Sequence, residues 1–163
     1  MTMDAELATL SRRVGDALSA RGWLLATAES CTGGWIAEVV TATAGSSAWF
    51  DRGFVTYSNA SKIDMLGVAG ATLAAHGAVS IETVLEMASG TLARSHADVA
   101  VAVSGVAGPS GGSAEKPVGM VCLAWARRDQ PAQATVCRFD GDREAVRRQT
   151  VLRALAEVIA LAT

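Results

Sequence analysis

The run DVAVAVS at residues 98–104 constrains this chain more than any other segment. Its apolar residues are continuous rather than alternating, and they are small. A strand of that kind is covered on both faces, as in sheets enclosed between helix layers. The flanking sequence supplies the layers. Residues 4–20 read as a helix, since Leu7, Leu10, Val14 and Leu18 recur at three- and four-residue spacing and Gly22 follows as a C-cap. Residues 23–28 form a short apolar strand, 35–41 a helix, and 49–57 an aromatic and β-branched strand. Ser58 or Asn59 caps a helix ending at Leu66, residues 67–77 hold one or two helical turns, and Ser80 caps a helix over 81–95.

After the 98–104 strand the pattern changes. Residues 105–117 read as a glycine-rich loop. Segments 118–127 and 135–139 read as strands joined through Asp129, Gln130 and Pro131, which implies an antiparallel hairpin. Asp140 or Asp142 caps a last helix with Val146, Val151, Leu155 and Ile159 on one stripe. Strand–helix alternation followed by a hairpin predicts an α/β fold: a three-layer α/β/α sandwich around a mixed, mostly parallel sheet of about five strands. The chain has 163 residues and neither repeat nor linker, so residues 1–163 are expected to be one domain. Its 32 alanines allow close approach of the layers.

Composition excludes several classes. Half the residues are hydrophobic and 18% charged, which excludes bulk disorder. A net charge of −2 argues against a nucleic-acid partner. No run of 18 apolar residues suggests a membrane span, and the first ten residues lack the basic start of a signal peptide. Cys31, Cys122 and Cys137 are an odd set without a CxxC pair, which fits reduced thiols and a cytoplasmic location. Cys122 and Cys137 are expected to face each other, reduced, across the final hairpin. His76, read as a loop residue, and His96, at a helix end, are too few for most metal sites, so no metal and no cofactor is expected. Trp23, Trp35, Trp49 and Trp125 in so small a domain favour a homo-oligomer.

Four segments can carry chemistry. The first is AESCTGG at 28–34, where a strand meets a helix. Glycines there let a backbone approach a ligand, and free N–H groups suit an oxyanion or a phosphate. A simple N-cap in a tight turn fits the same residues. Either Ser30 or Cys31 could be a nucleophile. The second is YSNASK at 57–62, at another strand end. Of 14 cationic residues only Lys62 and Lys116 are lysines. Arginine stays protonated, whereas a desolvated lysine can fall from about 10.4 toward ~7–8 and serve as a general base. If the two strands are parallel neighbours, Ser30 and Lys62 share one sheet edge. The third is the loop opening at Ser104 and Gly105, long enough to wrap a substrate. The fourth is GDREAVRR at 141–148, where Arg143 in a first helical turn invites an anion and Arg147 and Arg148 read as a solvated face.

Together the strings AESCTGG (28–34), AGSSAWFDRGFVTYSNASK (44–62), HGAVS (76–80), SGVAGPSGG (104–112), EKPVGMV (115–121) and GDREAVRRQ (141–149) resemble the CinA C-terminal domain family of nicotinamide-nucleotide amidohydrolases, over nearly the whole chain. The resemblance implies a stand-alone domain folded like the anticodon-binding domains. It implies hydrolysis of the carboxamide of nicotinamide mononucleotide, a small-molecule substrate, to nicotinate mononucleotide and ammonia in pyridine nucleotide salvage. It matches the family's nucleophile to Ser30, its lysine base to Lys62 and its tyrosine to Tyr57, expected as a third catalytic residue that helps Lys62 or, as its alternative, protonates the departing ammonia. Pocket-lining positions of the family fall on Glu29, Ser47, Ser104 and Arg143. In the reading of the residues themselves, backbone N–H groups of Thr32, Gly33 and Gly34, or of the Ser104–Gly105 turn, are expected to hold the oxyanion, and the glycine loops with Arg143 the phosphate and ribose. A non-catalytic nucleotide-binding module, or a regulatory protein of the kind suggested by relatives' competence and DNA-damage names, is the alternative.

Overall fold

In the computed structural model, which describes residues 3–163, five strands form one sheet in the order β2-β1-β3-β4-β5. The strands are β1 (Leu25–Glu29), β2 (Phe50–Val55), β3 (Val99–Gly105), β4 (Met120–Arg127) and β5 (Gln130–Arg138). The helices are α1 (Ala5–Arg21), α2 (Trp35–Thr41), α3 (Asn59–Leu66), α4 (Gly70–His76), α5 (Ile81–Ala93) and α6 (Arg143–Ala162), with a 3-10 turn at Ser46–Ala48. β1 pairs in parallel with both β2 and β3, whereas β3–β4 and β4–β5 are antiparallel. The parallel part of this mixed sheet is therefore confined to one end, and that end carries the site.

β3 occupies the middle of the sheet, as its continuous apolar sequence requires. Its two faces differ. Val99, Val101 and Val103 join Val121, Leu123 and Trp125 of β4 against α1, α2 and α6. Ala100 and Ala102 join Ala26, Ala28 and Ala124 against α3 and α5. Large residues thus fill the space under three helices, and alanines let α5 lie close to the other face. Trp49 packs so tightly on α1 that a Cβ on Gly15 would lie 2.8 Å from the indole.

Local signals fix the element ends. Asp4 caps α1 by accepting from the Glu6 and Leu7 N–H groups, and Gly22 closes it in the left-handed region. Ser58 and Ser61 form a reciprocal capping box on α3. Ser80 and Asp142 cap α5 and α6.

The structure corrects several expectations. β1 begins at Leu25, because the Trp23 N–H closes α1 by donating to Leu18 O at 3.0 Å and the Leu24 N–H donates to the Asp98 carboxylate at 2.8 Å. β5 begins at Gln130 rather than 135, since Arg127 pairs with Gln130 through a tight turn. Pro131 is tolerated because β5 is an edge strand with no neighbour on one side. Cys122 and Cys137 do not face each other: Cys122 pairs with Val136 and Cys137 with Val121, so the two thiols join opposite faces of the sheet. His76 ends α4 rather than lying in a loop.

Candidate active site

Parallel pairing brings the ends of β1, β2 and β3 to one edge, and the ladder continues beyond the strands. The Ser30 N–H donates to Val103 O at 3.1 Å and the Thr56 N–H to Glu29 O at 2.9 Å. Ser30 and Thr56 are thereby fixed side by side. Lys62 stands one turn into α3. A helical side chain leans toward its helix N-terminus, so Lys62 reaches back to this edge. Its Nζ lies 2.9 Å from Ser30 Oγ and donates to Thr56 O at 2.8 Å. Lys62 is 1% exposed and Ser30 8%. No carboxylate among the described residues lies within ion-pair distance of Lys62. Burial pushes the Lys62 amine below its ordinary value of 10.5, opposed by a smaller effect of the Cys31 thiol.

A cleft of about 250 Å³ opens over this pair. Tyr57, Ser104, Gly105 and Arg143 line it, with Cys31 and Asn59. Tyr57 is 62% exposed and offers a free aromatic face at the mouth. Ser104 stands at the end of β3, on the alanine side of the sheet. Arg143, the first residue of α6, donates to Gly108 O at 2.8 Å and to the Tyr57 hydroxyl at 3.3 Å. Among the described residues it pairs with no carboxylate, so its charge is available to an anionic ligand. Cys31 is a different kind of group: burial pushes its thiol up to about 11, which disfavours the thiolate a nucleophile would need.

The remaining expected site residues separate into two groups. Thr32, Gly33 and Gly34 line an adjoining depression of about 850 Å³, which Arg143 shares with the cleft. Gly33 and Gly34 have φ of 61° and 106°, so only glycine takes this turn without strain. Glu29 and Ser47 do not reach the cleft. Glu29 is 1% exposed and faces the other side of the sheet, where its carboxylate accepts from Thr32 Oγ1 at 2.6 Å and from the Ile36 and Ala37 N–H groups at 2.8 and 3.0 Å. It positions the turn rather than facing a ligand. Ser47 lies exposed in the 3-10 turn before β2, at the sheet edge opposite the one that carries Ser30.

Sequence reasoning missed Thr56, whose carbonyl anchors Lys62, and Arg147, which it assigned to a solvated face. Arg147 instead donates to the Cys31 and Thr32 carbonyls at 3.1 and 2.9 Å. Its spacing of four residues from Arg143 on one helix face was the available signal. Among the described residues no group of three or more His, Cys, Asp or Glu side chains is arranged to hold a metal ion, and no helix is long and apolar enough to cross a membrane.

The fold and this edge define an α/β protein that presents a hydroxyl and a desolvated amine, in contact, beyond the carboxyl ends of parallel strands. The CinA C-terminal domain model matches residues 7–162, and the chain belongs to that family. It is 59% identical over 153 residues to nicotinamide-nucleotide amidohydrolase PncC of Escherichia coli (strain K12), covering 93% of this chain and 92% of that protein. It is 53% identical over 157 residues to the protein of the same name from Pseudomonas putida, covering 96% and 98%. The solved structure of competence/damage inducible protein CihA from Agrobacterium tumefaciens matches all of both chains with a TM-score of 0.96 at 50% identity.

Proposed function

We propose that this chain hydrolyses the carboxamide of nicotinamide mononucleotide, giving nicotinate mononucleotide and ammonia, with Ser30 as nucleophile and Lys62 as general base. The observation that carries this reading is the buried Lys62 Nζ at 2.9 Å from Ser30 Oγ, with no acidic partner among the described residues. The names of the Escherichia coli and Pseudomonas putida relatives support the amide and the nucleotide.

Neutral Lys62 takes the Ser30 hydroxyl proton as Oγ bonds to the amide carbon. The C=O π pair moves to oxygen, giving a tetrahedral oxyanion. Collapse breaks the C–N bond, and Lys62 returns its proton to the departing nitrogen, which leaves as ammonia. Water then adds to the Ser30 ester, giving up a proton to Lys62. Ser30 Oγ departs with that proton and the carboxylic acid is released. The Thr56 carbonyl holds Nζ in line throughout. Tyr57 gives the pyridinium ring an aromatic face, on which a cation is favoured. Arg143, with Ser104, Gly105 and the turn of Gly33 and Gly34, contacts the ribose phosphate.

The test is ammonia release from nicotinamide mononucleotide. Ser30→Ala abolishes it. Lys62→Arg keeps the charge but removes the base, and lowers kcat by ~10²–10⁴-fold. Release that survives Ser30→Ala moves the nucleophile elsewhere, and near-parental turnover by Lys62→Arg ends the base assignment.

A further inference from the structure

Arg147 lies one turn beyond Arg143 on α6 and grips the nucleophile turn from the face opposite Lys62. Its Nε donates to Cys31 O at 3.1 Å and its Nη2 to Thr32 O at 2.9 Å, while the guanidinium stacks 5.4 Å from the Trp35 ring centroid. In a trans peptide the C=O and the following N–H point in opposite directions. The peptide partner of the Thr32 carbonyl is the Gly33 N–H, and this N–H donates back to Ser30 O at 3.1 Å. The peptide partner of the Cys31 carbonyl is the Thr32 N–H. The guanidinium holds both carbonyls, the Thr32 one together with the Trp35 N–H at 3.1 Å, so both N–H groups are turned away from it, to the side on which the Gly33 N–H meets the Ser30 carbonyl. The Gly33 N–H is occupied. The Thr32 N–H has no acceptor among the described residues, although Thr32 is 0% exposed.

A buried N–H without a partner among the described residues, turned to the side on which Ser30 lies, is what a developing oxyanion needs. A cation on the carbonyl of the same peptide also withdraws electron density and strengthens that N–H as a donor. We propose that Arg147 is a positioning residue of the amide hydrolysis: by holding the Cys31 and Thr32 carbonyls it aims and polarises the Thr32 N–H toward the oxyanion formed when Ser30 attacks. This rests on the reading of Ser30 as nucleophile. Glu29 completes the arrangement from below by fixing the Thr32 side chain.

Arg147→Met keeps much of the side chain's bulk and removes both hydrogen bonds. Removing an oxyanion donor lowers kcat by ~10²–10³-fold, so misaiming one lowers it by ~10–100-fold. The discriminating probe is 3-pyridylboronic acid, whose boron accepts Ser30 Oγ to form a tetrahedral anion. Its affinity falls by the same factor as kcat, whereas affinity for free nicotinate, a planar carboxylate with no phosphate to meet the depression that Arg147 also lines, does not fall. Arg147→Lys, which retains the cation and one hydrogen bond, lies between, and carries the same comparison if Arg147→Met folds poorly. A kcat within threefold of the parent, or equal losses of boronate and nicotinate affinity, overturns the inference. Ammonia release that persists in Ser30→Ala overturns the underlying reading instead.

Discussion

Two glycine-bearing loops leave neighbouring parallel strands on the same sheet edge, and they are held in opposite ways. The turn after β1 is fixed from both sides: three bonds to the Glu29 carboxylate beneath and two from Arg147 behind. Four consecutive residues of it, from Glu29 to Thr32, are buried. The loop after β3 is exposed from residue 109 to 115 and is attached to the rest of the molecule at few points. Arg143 holds Gly108 O, and Lys116 Nζ donates to the His76 carbonyl. The first turn presents the reacting hydroxyl in one geometry, which catalysis rewards. The second forms a wall that can adjust to a ligand, as exposed loops with few contacts do.

The largest expected effect comes from releasing the first turn. Glu29→Ala leaves the Thr32 hydroxyl and the Ile36 N–H buried, and the Ala37 N–H half-buried, without partners. Orphaned buried donors cost ~1–3 kcal/mol each, so a loss of about 3 kcal/mol is expected after relaxation. That corresponds to a Tm lower by ~6–12 °C in a chain of this size. Ammonia release falls with it, although Glu29 touches no ligand. Glu29→Gln, which can still accept one or two of these bonds, recovers part of both. Unchanged melting in Glu29→Ala would place this turn in the same class as the glycine loop.

A second expectation concerns Lys62 itself. Between its lowered folded-state value and 10.5, the unfolded chain binds more protons at this lysine than the folded chain does. Stability contributed by the group therefore rises with pH across that interval. At neutral pH the desolvated amine costs the fold stability while its bond to the Thr56 carbonyl returns some, so Lys62→Met abolishes turnover and its Tm relative to the parent is most favourable at low pH. The advantage is greatest below the folded-state value and fades as pH approaches 10.5. In the parent, kcat/KM rises with pH as the amine loses its proton. An equal Tm difference at pH 6 and pH 10 would show that Lys62 is not desolvated.

Much of this difference was legible in the sequence, for particular reasons. The helix caps Asp4, Ser58, Ser80 and Asp142 act within one turn, so local sequence determines them. β3 announced its central place because burial on both faces imposes small apolar residues at every position. Lys62 stood out because arginine is the usual cation of this chain. Glu29, Arg147 and Thr56 did not stand out as they act. A carboxylate accepting backbone N–H groups, a guanidinium on carbonyls and a carbonyl holding an amine involve a backbone whose direction no residue type encodes. Ser47 had only its place in a matching string, and the chain carries it to the far edge of the sheet. The β5 start was obscured because an edge strand tolerates proline and polar residues.

The smallest expected effect tests the second loop. Lys116 ties the loop after β3 to the connection at the end of α4, and both pieces contribute walls to the cleft: Gly105 and Ala107 on one side, Ala78 and Val79 on the other. Lys116→Gln removes a single partly screened contact, which is worth ~0.5–1 kcal/mol, so Tm falls by no more than ~4 °C. The two walls separate more readily, and KM for nicotinamide mononucleotide rises ~2–5-fold, the range given by a lost contact of that size. The value of kcat stays at the parent level, because Ser30, Lys62 and the first turn hold their geometry through bonds that do not pass through Lys116. A fall in kcat with KM unchanged would mean that the glycine loop, too, sets the geometry of the reacting atoms, and the contrast between a fixed turn and an adjustable wall would be lost.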